Sequence, residues 1–114
     1  MDEAKFKLGG RLWIEDAEGK LLGPGRVELL ERIAASGSIR QAALQMKMSY
    51  KQAWDIVNYI NEHFTEPVVI SHRGGKGGGN AVVTDYGHGV IDEFRSFQKK
   101  FREFLADNSR LLNI

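Results

Sequence analysis

The chain contains no cysteine. Disulfides and thiolate metal centres are therefore excluded, which suits a reducing cytosol. It has no apolar run approaching the ~20 residues that a membrane-spanning helix needs. Its first residues, "MDEAKFKLGG", lack the apolar core of a signal peptide. The sequence reads as soluble and cytoplasmic, with no membrane partner. Net charge is also nearly absent, at +1, and a balance this small says nothing by itself about nucleic acid. Histidine is scarce. His63, His72 and His88 show no metal-ligand spacing, and no nucleophile motif joins Ser, His and Asp residues. The expectation is a protein that is not an enzyme, with no cofactor and no metal site.

What is present fits one domain, residues 1–114, with one core. Apolar residues make up 42% and charged residues 27%, too apolar a mixture for a disordered chain. The charge is unevenly spread. Ser38 to Ala53 carries Arg40, Lys47 and Lys51 and no acid.

Phe6, Leu8, Leu12 and Ile14 fall on alternate positions, interrupted by Gly9-Gly10. With the turn "EDAEGK" and the returning "KLL", they predict an N-terminal β-hairpin. Pro24 then suits a helix's first turn. Val27, Leu30, Ile33 and Ala34 follow helical spacing, and Gly37 is a natural stop. Next come two S-x-x-Q capping patterns, Ser38 with Gln41 and Ser49 with Gln52, in which each side chain bonds the other's free backbone N–H. They predict a short helix from Ile39 to about Met46 and a longer one from about Tyr50 to Phe64. Only Lys47 and Met48 separate the first from the second cap. Short helix, tight turn, longer helix is the helix-turn-helix pattern, here over 38–64. In the longer helix Ala53, Trp54, Val57, Ile60 and Phe64 should face inward, leaving Lys51, Asp55, Asn58 and Glu62 outward.

Pro67 ends that pattern. "VVIS" and "AVVT" flank the run "GGKGGG" and predict two antiparallel strands, a wing over 67–84. A long helix over 85–106 closes the chain. Val90, Phe94, Phe97, Phe101 and Phe104 alternate steps of four and three along it, an apolar seam of the kind that pairs helices. The expected fold class is α+β: a winged helix-turn-helix with an N-terminal β-hairpin and a long C-terminal dimerisation helix.

Double-stranded DNA is the partner this order suggests. Ser49, Tyr50, Lys51 and Gln52 stand at the start of the second capped helix, the end that normally reaches base edges. Lys donates to guanine, Gln bridges adenine, and Asp55 can accept from cytosine. Ser38, Arg40 and Gln41 start the short helix, where free N–H groups attract phosphate. In the wing, Gly75 and Gly77 let backbone approach a ligand closely. Arg73, Lys76 and Asn80 supply cations and a donor. The loop is no nucleotide cradle, because Lys76 is followed by Gly77 and the loop joins two strands. Each feature also has a plain reading as a solvated face or a cap. The phenylalanine seam, likewise, covers the core, pairs two copies, or does both.

The run "GSIRQAALQMKMSYKQAWDIVNYINE", followed by "GGKGGG", "AVVT" and "YG", resembles the N-terminal DNA-binding half of the ModE family of molybdate-responsive transcriptional regulators. More distantly, its helix-turn-helix is similar to that of LysR-type regulators. The ModE resemblance spans about Gly25 to Leu105. It implies a winged helix that dimerises and binds a palindromic operator, with Ser49, Tyr50 and Lys51 on the recognition helix and Lys76 with its glycines on the wing. ModE-type regulators commonly continue into a pair of small β-barrel domains that bind molybdate, whereas this sequence stops at Ile114. The expectation is a homodimeric regulator lacking its own molybdate-binding domain, with three alternatives open: a stand-alone short form, a regulator that senses through a separate molybdate-sensing partner, or a fragment of a longer chain. The rival reading is a winged-helix protein-interaction module that does not bind DNA.

Overall fold

A computed structural model describes residues 5–72 and 80–114. Its elements follow in the order β1 (Ile14–Asp16), β2 (Gly19–Leu22), α1 (Pro24–Ser36), α2 (Ile39–Gln45), α3 (Tyr50–His63), β3 (Val69–His72), β4 (Asn80–Val83) and α4 (Asp85–Ser109). Mixed helices and strands in this order form an α+β winged helix, as the sequence suggests. No helix among the described residues is long and apolar enough to cross a membrane.

Local chemistry sets the helix ends. Pro24 occupies the first turn of α1, and Gly37 ends it at φ 72°, a left-handed conformation that costs glycine little. Ser38 and Ser49 cap α2 and α3 by accepting the N–H groups of Gln41 and Gln52 at 3.1 and 3.0 Å. The first expected reciprocal bond is replaced: the Ser38 N–H donates to Ser36 Oγ. Thr84 caps α4 by accepting from the Gly87 N–H at 2.9 Å.

The core gathers one face from each helix. Leu30 and Ile33 of α1, Ala42 and Ala43 of α2, Ala53, Val57 and Ile60 of α3, and Ile91 and Phe94 of α4 are buried together with Val68, Ala81 and Val83. The wing strands pair antiparallel, Val69 opposite Val83 and His72 opposite Asn80. β4 docks on the end of α1, where the Ala81 N–H donates to the Gly37 carbonyl at 2.9 Å.

Two expectations need correction. Residues 6–13 form no strand; the hairpin is limited to β1 and β2. The segment instead runs along α4, with the Leu8 N–H donating to Ser109 Oγ at 2.8 Å. Gly10 lies so close to Phe101 that an added Cβ would come within 2.9 Å of its ring. Trp54 does not face inward. It is 38% exposed, because the buried stripe of α3 runs through Ala53, Val57 and Ile60 and Trp54 is rotated about 100° from Ala53.

Asn61 joins α3 to the wing. Its carboxamide accepts the N–H groups of Val68 and Val69 at 2.8 and 3.1 Å and donates to the Val69 carbonyl at 2.8 Å. From the other side, α4 approaches Val68 through Gly87, where a Cβ would overlap the Val68 carbonyl and stand 2.9 Å from Val83. Gly89 faces open space. Gly87→Ala should therefore destabilise the fold by roughly 1–3 kcal/mol through overpacking. Gly89→Ala should be neutral or stabilise it by up to about 1 kcal/mol. Urea denaturation of both variants checks the contrast; equal effects would show that the close approach at Val68 does not matter.

Arg95 ties α4 to α1 by donating to both carboxylate oxygens of Glu31, at 2.9 and 2.5 Å, and to Gln98 Oε1 at 2.8 Å. The Arg95 hydrogen bonds hold the Glu31 carboxyl below its ordinary pKa, against an opposing effect of burial. A depressed folded pKa gives stability that is complete above the ordinary glutamate range and is lost as pH falls through the lower folded value. Both side chains are over a third exposed, so the contribution should be at most about 1 kcal/mol. Denaturation from neutral to acid pH should show Glu31→Gln less stable at neutrality, with the gap closing in acid. A gap independent of pH would rule out this ionisation as its source.

Candidate nucleic-acid interface

α2 and α3 bring most of the sequence-predicted residues onto one exposed surface. The turn between them is tight. Met46 N–H donates to the Ala42 and Ala43 carbonyls, and Met48 N–H returns to Ala43 at 3.0 Å. Lys47 closes the turn at φ 56°, a left-handed conformation that most side chains avoid. The turn therefore presents an exposed cation where glycine would be the easier residue. The local excess of positive charge pointed to this stretch, but the backbone conformation was not visible in the sequence.

The two helix starts meet. The Arg40 guanidinium lies 4.4 Å from the centre of the Tyr50 ring, a cation–π arrangement that orders both side chains while leaving the charge at the surface. One turn on, Lys51 Nζ pairs with Asp55 at 2.7 Å, the side chains being 84% and 60% exposed. Gln41, Gln52 and Asn58 complete the outward face, the first two exposed and the third half-buried. Ser38 and Ser49 each accept a backbone N–H, so each hydroxyl proton remains a donor for a ligand.

Asn80 is exposed at the start of β4. Arg73, Gly75, Lys76 and Gly77 fall outside the described residues. The seam on α4 divides. Phe94 is fully buried and serves the core, Val90 and Phe101 are half-buried, and Phe97 and Phe104 are 49% and 57% exposed. An open groove of about 580 Å³ beside this face is lined by Ile14, Phe64, Tyr86, Val90 and Phe97 among others.

Paired capped helices, a tight turn between them and a β-hairpin behind define a winged helix-turn-helix. No family model matches the chain, but curated relatives do. It is 43% identical over 91 residues to the DNA-binding transcriptional dual regulator ModE of Escherichia coli, a match covering 77% of this chain and 35% of that protein. It is 35% identical over 103 residues to the molybdenum transport protein ModE of Azotobacter vinelandii, covering 90% of this chain and 38% of that one. It is 42% identical over 83 residues to the molybdenum-pterin-binding protein MopA of Rhodobacter capsulatus, covering 73% and 31%. Over these residues the chain belongs to the ModE family. It spans about a third of the length of the curated relatives it matches.

Proposed function

We propose that this chain is the DNA-binding part of a ModE-type regulator of transcription and binds a palindromic operator as a homodimer. One observation carries the reading: Arg40, Tyr50, Lys51 and Gln52 share the exposed surface at the starts of the two capped helices. A helix start of this kind fits the major groove, with base contacts from its first residues. Lys51 and Gln52 read bases, Arg40 and Lys47 neutralise phosphates, and Ser38 and Ser49 donate hydroxyl protons. Asp55 holds Lys51 in the free protein and becomes an acceptor for cytosine when Lys51 turns to guanine. The sequence of the wing loop, with Lys76 among glycines, supports a further backbone contact.

The printed name of the E. coli relative, a DNA-binding regulator, supports this reading. The names of the Rhodobacter proteins record molybdenum-pterin binding for those proteins. Molybdate responsiveness of the regulator as a whole, whether through a further domain or a separate partner, belongs to the same proposal.

The expected behaviour is tight, salt-dependent binding to DNA from upstream of the protein's own gene, measured by fluorescence anisotropy against scrambled DNA. Lys51→Ala should cost roughly 1–3 kcal/mol and relax discrimination at one base pair. Arg40→Ala should weaken both DNAs alike and lower the slope of log K against log salt by about 0.9. Equal, weak binding to both DNAs, unaltered by either substitution, would overturn the reading in favour of a protein-interaction module.

The exposed phenylalanines of α4 support the homodimer. Phe97 and Phe104 lie on the outward face of a helix whose inward residues, Ile91 and Phe94, already fill the core. Sedimentation should give twice the mass of one chain, and Phe104→Asp should shift the population toward one chain without loss of helical signal. A wild-type protein that sediments as one chain at tens of micromolar would refute pairing by this face.

A further inference from the structure

One cluster of ionisable groups lies away from the proposed DNA surface. Asp16 ends β1, Glu18 lies in the turn that leads to β2, and His63 is the last residue of α3. One ligand-capable atom from each lies within 4.8 Å of the other two. His63 Nε2 stands 3.6 Å from Glu18 Oε2. On the opposite side of the ring, Nδ1 lies 2.8 Å from the Tyr59 carbonyl. A carbonyl only accepts, so Nδ1 carries the proton and, in the neutral ring, Nε2 presents its lone pair to the two carboxylates. Metal-binding imidazoles are commonly oriented this way, with the second nitrogen donating to a backbone carbonyl. The ring is further held by stacking on Tyr59, with centroids 3.9 Å apart, and its side chain is only 13% exposed.

We propose that Asp16, Glu18 and His63 form a binding site for a divalent transition-metal ion, with Zn²⁺ a suitable probe. One imidazole and two carboxylates suit a borderline-soft cation, and three protein ligands leave a position for water. Ligands about 2.0–2.2 Å from a tetrahedral ion stand roughly 3.3–3.6 Å apart. His63 Nε2 and Glu18 Oε2, 3.6 Å apart, already stand near this spacing, and Glu18, at 76% exposed, is free to adjust. Asp16 is already oriented, because its Oδ1 accepts the Glu18 N–H at 2.8 Å. Such an ion ties the N-terminal hairpin to the end of α3 opposite the proposed DNA-reading residues. The proposal stands independently of DNA binding.

The alternative occupant is a proton. The Tyr59 carbonyl, followed by Asp16 and Glu18, raises the His63 pKa against a lesser opposing effect of burial, and a protonated ring would pair with the same carboxylates. Calorimetry separates the two. Tag-free, chelator-stripped protein is titrated with Zn²⁺ in mildly alkaline buffer, with thermal melts in parallel. The expected result is one ion per chain, a raised melting temperature, and affinity weakened at least about tenfold in both Glu18→Gln and His63→Gln. His88→Gln, on exposed α4, should bind as the parent does. Because Glu18 lies in an exposed turn, its variant should keep the parent's helical signal even if His63→Gln does not. Absence of stoichiometric binding, or binding that Glu18→Gln leaves unchanged, would overturn the site.

Discussion

The backbone of Val68 is the point on which the architecture turns. Its N–H is taken by the side chain of Asn61 on α3, its carbonyl by the Thr84 N–H at the start of α4, and its side chain is fully buried. Gly87 brings α4 against the same carbonyl from behind. The entry of the wing is thus fixed relative to the candidate recognition helix on one side and to the long helix on the other. An unpartnered amide or carbonyl here would sit in the core at a cost of roughly 1–3 kcal/mol. The two groups that satisfy this backbone come from two different elements, α3 and the start of α4. That shared dependence makes the wing strands part of the same packed body as α3 and α4.

Around this junction, the polar interactions sort by how far they must be relied upon. Those that set orientation are backbone-directed: Asn61 to β3 and Thr84 to α4, both part-buried, and Ser38 and Ser49 at their exposed helix starts. Those facing the proposed ligand are side-chain pairs in solvent, Arg40 over Tyr50 and Lys51 with Asp55. Water has already solvated the second group, so exchanging one partner for another costs little. A surface that must release its own contacts to take up a ligand's is served by this arrangement.

Legibility in the sequence followed the range of the interaction. The two serine caps, the glycine stop of α1 and the turn between α2 and α3 are decided within about four residues, and the helix-turn-helix could be placed to within a residue or two. Alternation at Phe6, Leu8, Leu12 and Ile14 was misleading as to its partner: Leu8, Leu12 and Ile14 are half-buried, and Phe6 is exposed. Period two reports that one side of an extended chain is covered, and here a helix, not a strand, covers much of it. Trp54 misled because its bulk suggested the core, although the stripe centred on Ala53 and Val57 leaves it at the edge. Asn61, the Glu31–Arg95 pair, and the meeting of His63 with Asp16 and Glu18 had no sequence signal. Their partners are brought together only by the tertiary fold; in the Glu31–Arg95 pair they stand 64 residues apart. Of the candidate site, the α2–α3 portion was readable for the same reason that its caps were.

The Lys51–Asp55 pair shows why a weak interaction is the useful one at the proposed reading surface. At 84% and 60% exposure, an i,i+4 pair of this kind contributes about 0.3–0.5 kcal/mol. That is enough to bias Lys51 toward one rotamer and keep Asp55 from standing as a lone negative charge. It is far less than the ~1–3 kcal/mol that a well-made contact with the correct base supplies. The correct base pair can therefore outcompete Asp55 for Lys51, whereas a phosphate met at random offers no donor for the released Asp55. A stronger pair would mask the lysine from every sequence. A pair absent altogether would leave a cation that binds any backbone. On the proposed DNA-binding role, discrimination by a chain of net charge +1 depends on this intermediate strength, because such a chain has little bulk attraction for DNA to fall back on.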